Sequence, residues 1–223
     1  MPGSIDFVFL DIGGVLYDDR VYAEAWRTAL RAAGGTFTDD EFDAEYAAAR
    51  AGQDRSFRVR LAERFAPDGV GLEELEAEAA RHWAYPPSAL HDDVLPCLER
   101  LRTDGYRLGI IANQPSQVRT ALERDGLVSF FEVWGVSEDL GLQKPDPELF
   151  LHALRTAGVE PSRAVMVGDR LDYDVRPARQ AGMRTVWVLR GEAPDDPTHE
   201  QLDEAGVSIR DLTELPPALA TFG

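Results

Sequence analysis

IDFVFLDIGG, residues 5–14, is the stretch on which the fold turns. A short apolar run ends in one acid, Asp11, followed by Gly13 and Gly14 after an isoleucine. Its length and its flanking glycines favour a buried strand over a helix. Turn-forming acids usually sit among polar neighbours, whereas Asp11 lies directly behind FVFL. The backbone around Gly13 and Gly14 can approach a ligand closely, because glycine has no Cβ. Carboxylate chemistry usually wants a second acid nearby, and Gly13 stands where one is expected.

Downstream, residues 20 to about 84 carry helical patterns only. Tyr22, Trp26, Ala29, Leu30 and Ala33 form one stripe, closed by Gly34-Gly35. Thr38 and Glu41 make a capping-box pattern that opens a second helix. A third helix runs through RSFRVRLAERF. A fourth carries Leu72, Leu75, Ala79 and Trp83 and ends at Pro86-Pro87. This block reads as an all-helical insert.

From residue 91 helices and strands alternate. VLPCLERLRTDG is a helix, with Pro96 in its first turn. The strands are YRLGIIA, FFEVWGV, RAVMVG and RTVWVL. Between them lie helices over Ser116–Asp125, PELFLHALRTAG and VRPARQAG. The tail adds a helix and a short edge strand, and EAPDDP reads as a loop. Such alternation predicts an α/β fold, a parallel sheet with helices on both faces.

Ligands of open parallel sheets bind beyond the C-terminal strand ends. Those ends carry Asp11, then Asn113 after LGIIA, then Ser137 and Lys144, then Asp169 with Asp174 close behind. Taken singly, Asn113 reads equally as a helix cap, Lys144 as a loop lysine, and Asp169 and Asp174 as caps. Taken together they are coherent. Asp11, Asp169 and Asp174 make an oxygen-rich site for a hard cation, most naturally magnesium. Lys144 supplies a point charge to a phosphoryl group and keeps the carboxylates ionised. Asp11 is then a well-oriented nucleophile.

The motifs DIGGVL, LGIIAN, LQKPDPELF and VGDRLDYD occur in the order found in the haloacid dehalogenase superfamily, which this sequence resembles over most of its length. The resemblance implies a Rossmann-like α/β core, residues 1–19 and 88–223, with an inserted all-helical cap, residues 20–87. It implies a magnesium-dependent phosphatase that works through an aspartyl phosphate on Asp11. Magnesium is expected on Asp11, the Gly13 carbonyl and Asp169, with Asp174 as ligand or support. The phosphate side is expected at Gly13, Gly14, Ala112, Asn113 and Lys144.

Two positions depart from the family pattern: Gly13 replaces the usual second aspartate, and Ala112 replaces a serine or threonine. Losing a general acid–base costs roughly 10²–10⁴-fold. Aryl, acyl or anomeric phosphates are then favoured substrates, unless Asp18, Asp19 or a cap residue does the proton work. Asp18 reads as a brace for the following helix. The alternatives are a 2-haloacid dehalogenase-like hydrolase and a catalytically degenerate member that binds a phospho-ligand or a protein.

Forty acids against 23 lysines and arginines give a net charge of −17. Such a surface repels nucleic acid and anionic membrane, so the expected partner is a small phosphorylated substrate. The single cysteine, Cys97, reads as a core residue on a helix face. His82, His91, His152 and His199 show no metal-ligand spacing. With neither a signal peptide nor a membrane span in the sequence, the expected location is cytoplasmic, for a monomer or homodimer.

Overall fold

The computed structural model describes residues 4–223, so the first three residues of the expected core segment lie outside it. Six parallel strands form one sheet: β1 Phe7–Leu10, β2 Arg107–Ala112, β3 Val133–Val136, β4 Ala164–Gly168, β5 Arg184–Val188 and β6 Val207–Ile209. Their order is β3-β2-β1-β4-β5-β6. The chain runs outward from β1 through β2 to β3, then returns to place β4 on the other side of β1. Adjacent strands leaving in opposite directions open a crevice at their C-terminal ends. Asp11 and Asp169 follow the two strands that border that crevice.

The pleat of β1 explains its near-continuous apolar sequence. Phe7 and Phe9 face one cluster and Val8 and Leu10 the other, and all four are fully buried. Helices α5 Val94–Thr103 and α6 Val118–Arg124 cover the valine side. Beyond the short α7 Ser137–Leu140, helices α8 Pro147–Ala157 and α9 Arg176–Gln180 cover the phenylalanine side. Gly109 in β2 lies under the two phenylalanine rings, where a Cβ would clash with both. Helices α10 His199–Ala205 and α11 Leu215–Leu219 complete the tail around β6. The sequence pattern did not reveal α7 or α11: one is a single turn, and the other begins in Leu-Pro-Pro. Cys97 is buried on α5, and burial pushes its thiol up to about 12, as suits a core residue.

The insert consists of α1 Arg20–Ala32, α2 Asp39–Gly52, α3 Phe57–Phe65 and α4 Leu72–His82. These helices enclose a core of their own, centred on Trp26, Leu30, Phe42, Leu61 and Leu75. The capping box forms as the spacing predicts: Glu41 N–H donates to Thr38 Oγ1 and Thr38 N–H to Glu41 Oε2. Trp83 departs from expectation. Helix α4 ends one residue before it, so its ring leaves the stripe and packs against the sheet-side cluster, edge-on to Tyr85. Among the described residues no helix is long and apolar enough to cross a membrane.

Leu61 and Leu72 share one sequence pattern but not one environment: Leu61 is fully buried, whereas Leu72 is 37% exposed. In urea unfolding, Leu61→Ala is expected to cost about 2–5 kcal/mol. Leu72→Ala is expected to stay within about 0.5 kcal/mol.

Candidate active site

Asp11 is held rigidly at the end of β1. Its backbone N–H continues the ladder to Val167 O, and its Oδ1 accepts from Ile12 N–H at 2.8 Å. Its Oδ2 lies 2.9 Å from Lys144 Nζ. The same ammonium lies 2.6 Å from Asp174 Oδ1, and all three residues are buried. Asp169 follows β4, where its Oδ2 accepts from Glu192 N–H at 2.6 Å and its carbonyl from Trp187 Nε1 at 2.8 Å. Asp174 sits on a wide helical turn over Leu171–Val175, and its Oδ2 accepts from Arg170 N–H. Asp11, Asp169 and Asp174 each offer an oxygen within 4.8 Å of the others.

Other predicted residues take different places. Asn113 follows β2, but both ends of its amide are used on Lys144: Nδ2 donates to Lys144 O at 2.8 Å, and Oδ1 accepts from Lys144 N–H at 2.7 Å. It positions the lysine, and it lines the same cavity as Asp11 and Gly13. Gly14 is also engaged, donating to Tyr17 O at 2.8 Å and accepting from Arg190 Nε at 3.1 Å. Glycine is needed there for another reason. Its φ is +67°, and a Cβ would run into the Asp169 carboxylate. Ala112 is fully buried in the core cluster and does not line the cavity. Gly13 does line it, with Asp11, Lys144 and Asp169. Ser137, at the end of β3, opens α7 outside this group.

The cavity has a volume of about 90 Å³. It lies between the strand ends and the insert, which contributes Tyr22 and Arg58. Burial raises Asp11 to about 6, because desolvation outweighs the opposing Lys144 charge and Asp174 adds repulsion. The sequence reading gave Lys144 the stronger hand. Burial, then the charges of Asp19 and Asp174, lifts Asp169 well above the carboxylate range. Burial works against the charge on Lys144 too, but Asp11 and Asp174 outweigh it and raise the ammonium.

Two contributors escape the sequence reading. Glu192, the first residue of the EAPDDP loop, is buried against Arg170 and orients Asp169 through its N–H. Gln53, at the end of α2, accepts from Leu171 N–H and donates to Glu192 O, which joins insert to core. Of the two acids the sequence offers for the proton work, Asp19 lines the cavity with Gly13 and Asp18 does not. The position of Glu192 shortly after β5 was the available signal, because Asp11, Asn113 and Asp169 also follow strands. Gln53 carried no signal.

The family model for haloacid dehalogenase-like hydrolases matches residues 5–182, most of the chain. The chain belongs to that family. It is similar to the phosphoserine phosphatase of Thermus thermophilus, 36% identical over 198 residues, which are 87% of this chain and 76% of that one. It is also similar to the glyceraldehyde 3-phosphate phosphatase of Methanopyrus kandleri, 42% identical over 106 residues, 47% of this chain. The match spans about half the length of that relative, 46%. The crystal structure of a HAD phosphatase from Thermococcus onnurineus superposes with a TM-score of 0.63 at 29% identity, covering 96% of this chain and 98% of that one.

The Asn113 clamp is open to measurement. Asn113→Ala removes two partly buried hydrogen bonds and is expected to cost about 1–3 kcal/mol in urea unfolding. An unchanged midpoint would mean that the Lys144 loop holds itself.

Proposed function

We propose that this chain is a magnesium-dependent phosphatase acting on a small phosphorylated metabolite, with Asp11 as nucleophile. One observation carries the reading: the buried Asp11 carboxylate lies 2.9 Å from Lys144 Nζ, with Asp169 and Asp174 oxygens within 4.8 Å. The donors fit the ion, since all are hard carboxylate oxygens, and burial with mutual repulsion raises Asp11 and Asp169 where a divalent charge would relieve them. Asp11, Asp169 and the Gly13 carbonyl would hold the ion. Asp174 already engages Lys144 and Arg170 N–H, which suits support better than direct ligation. Magnesium bound there would neutralise charge on the phosphoryl oxygens.

The chain's own residues do the rest. Asp11, oriented by Ile12 N–H, attacks phosphorus and forms an aspartyl phosphate. Lys144, fixed by Asn113 and Asp174, places its positive charge against the phosphoryl group. Water then cleaves the aspartyl phosphate and restores the carboxylate. Positioning and electrostatics carry most of the acceleration in phosphoryl transfer. In this reading residues 20–87 form the cap domain, residues 1–19 with 88–223 form the core, and the protein works in the cytoplasm as a monomer or homodimer. A dehalogenase does not need the acid pair Asp169 and Asp174. A binding protein does not need Asp11 itself.

Phosphate release from p-nitrophenyl phosphate should require magnesium, stop with chelator and vanish in Asp11→Asn. Metal-independent chloride release from 2-chloropropionate would put the dehalogenase reading in its place. Magnesium should also stabilise the resting fold. At about 100 times its dissociation constant the gain is about 2.7 kcal/mol. For a chain of this size that is roughly 5–10 °C in Tm by scanning fluorimetry. Asp169→Asn should remove most of that increment.

A further inference from the structure

The side-chain space at Gly13 is occupied. An ideal Cβ built there would lie 2.5 Å from Asp19 Oδ1, 2.6 Å from Asp19 Oδ2 and 2.9 Å from its Cγ. The carboxylate oxygens of an aspartate stand about 2.4 Å from their own Cβ, given C–C and C=O bonds of about 1.5 and 1.2 Å. The Asp19 oxygens therefore lie at the distance at which an aspartate at position 13 would hold its own. Asp19 lines the same cavity as Asp11, Lys144 and Asp169.

Helix capping does not account for the Asp19 side chain. It occupies the N-cap position of α1, but its side chain makes no capping hydrogen bond. Its neighbour Asp18 does that local work, accepting from Arg20 N–H at 3.0 Å. Among the described residues Asp19 makes no ion pair. Among those residues its carboxylate has one hydrogen-bond partner, Tyr85, whose O–H donates to Oδ1 at 2.8 Å. Tyr85 is buried and stacked on Tyr17, with ring centroids 4.5 Å apart, so the carboxylate is aimed by a rigid group.

We propose that Asp19 is the general acid and general base of this site, in the place that Gly13 leaves open. The assignment rests on the phosphatase reading and extends its substrates to alkyl phosphomonoesters, whose leaving groups need a proton. In the first step an Asp11 oxygen bonds to phosphorus as the phosphorus–alkoxy bond breaks. The electron pair of that bond goes to the alkoxy oxygen, which takes the proton of the Asp19 carboxyl and leaves as an alcohol. In the second step the Asp19 carboxylate takes a proton from water as the water oxygen bonds to phosphorus. The bond from phosphorus to Asp11 breaks, its pair returns to the Asp11 carboxylate, and phosphate departs. The sum is ester plus water to alcohol plus phosphate. An acid at 13 and the carboxylate of Asp19 exclude each other, since both need one volume.

Two probes in the presence of magnesium test this: O-phosphoserine, with an alkyl leaving group, and p-nitrophenyl phosphate, whose leaving group needs no proton. Asp19→Asn keeps the shape and the Tyr85 contact, and circular dichroism checks its fold. On O-phosphoserine its kcat/KM should fall about 10²–10⁴-fold. On p-nitrophenyl phosphate kcat/KM should stay within about tenfold, while rapid mixing shows a burst of one p-nitrophenolate per enzyme and then slow turnover. Gly13→Asp alone should lose activity through the clash. The double variant Gly13→Asp, Asp19→Ala should recover kcat/KM on O-phosphoserine at least tenfold over Asp19→Ala. Equal losses on both probes without a burst, or no loss, overturn the assignment while leaving the phosphatase reading intact. A wild-type chain that releases phosphate from neither probe overturns both.

Discussion

The buried ammonium of Lys144 is the contact on which the site depends. It lies between Asp11 and Asp174, 2.9 and 2.6 Å away, in a place where neither sign of charge would be stable alone. The fold holds it by covalent and hydrogen-bonded means. Asn113, at the end of β2, grips the Lys144 backbone at both N–H and C=O. Asp174 reaches it from the turn after β4, and Asp11 from the end of β1. Three adjacent strand ends thus converge on one side chain, and the sheet order that makes them adjacent is part of the electrostatics.

Space is the second constraint. The acids approach one another so closely that the backbone beside them has no room for a Cβ. A side chain at Gly14 or Gly191 would meet the Asp169 carboxylate, and both glycines have positive φ. One at Gly168 would meet Asp174. These glycines crowd acids together, and crowding with burial is what raises Asp11 and Asp169.

How much of this was legible follows from how local each feature is. The strand β1, the helical insert, the Thr38–Glu41 cap and the alternation after residue 91 are written in short-range patterns, and all of them form. Asp11 and Asp169 were legible because strand ends announce themselves by an abrupt change from apolar to polar, and Lys144 and Asp174 because they follow such ends within a short stretch. The roles of Asn113 and Gly14 were not, since each depends on a partner 31 or 3 residues away whose backbone direction no pattern fixes. Gln53 was invisible for the same reason: it sits at the end of a polar helix, yet it is buried across the interface with φ 48°. Trp83 shows that a helical stripe says nothing once the helix stops.

Gln53 also fixes how the insert can influence the acids. Its amide holds Leu171 N–H and Glu192 O, and its own carbonyl accepts from Arg176 at 2.7 Å. Glu192 N–H in turn holds Asp169. A single buried side chain thus ties the end of α2 to the loop that aims Asp169. Hydrogen bonds of this kind contribute about 0.5–1.5 kcal/mol each, enough to fix position without welding the two parts together. Tyr22 and Arg58 of the insert and the carboxylates at the strand ends line one cavity. A substitution in the insert that displaces Gln53 reaches Asp169 through two hydrogen-bonded steps, with no contact to the cavity needed.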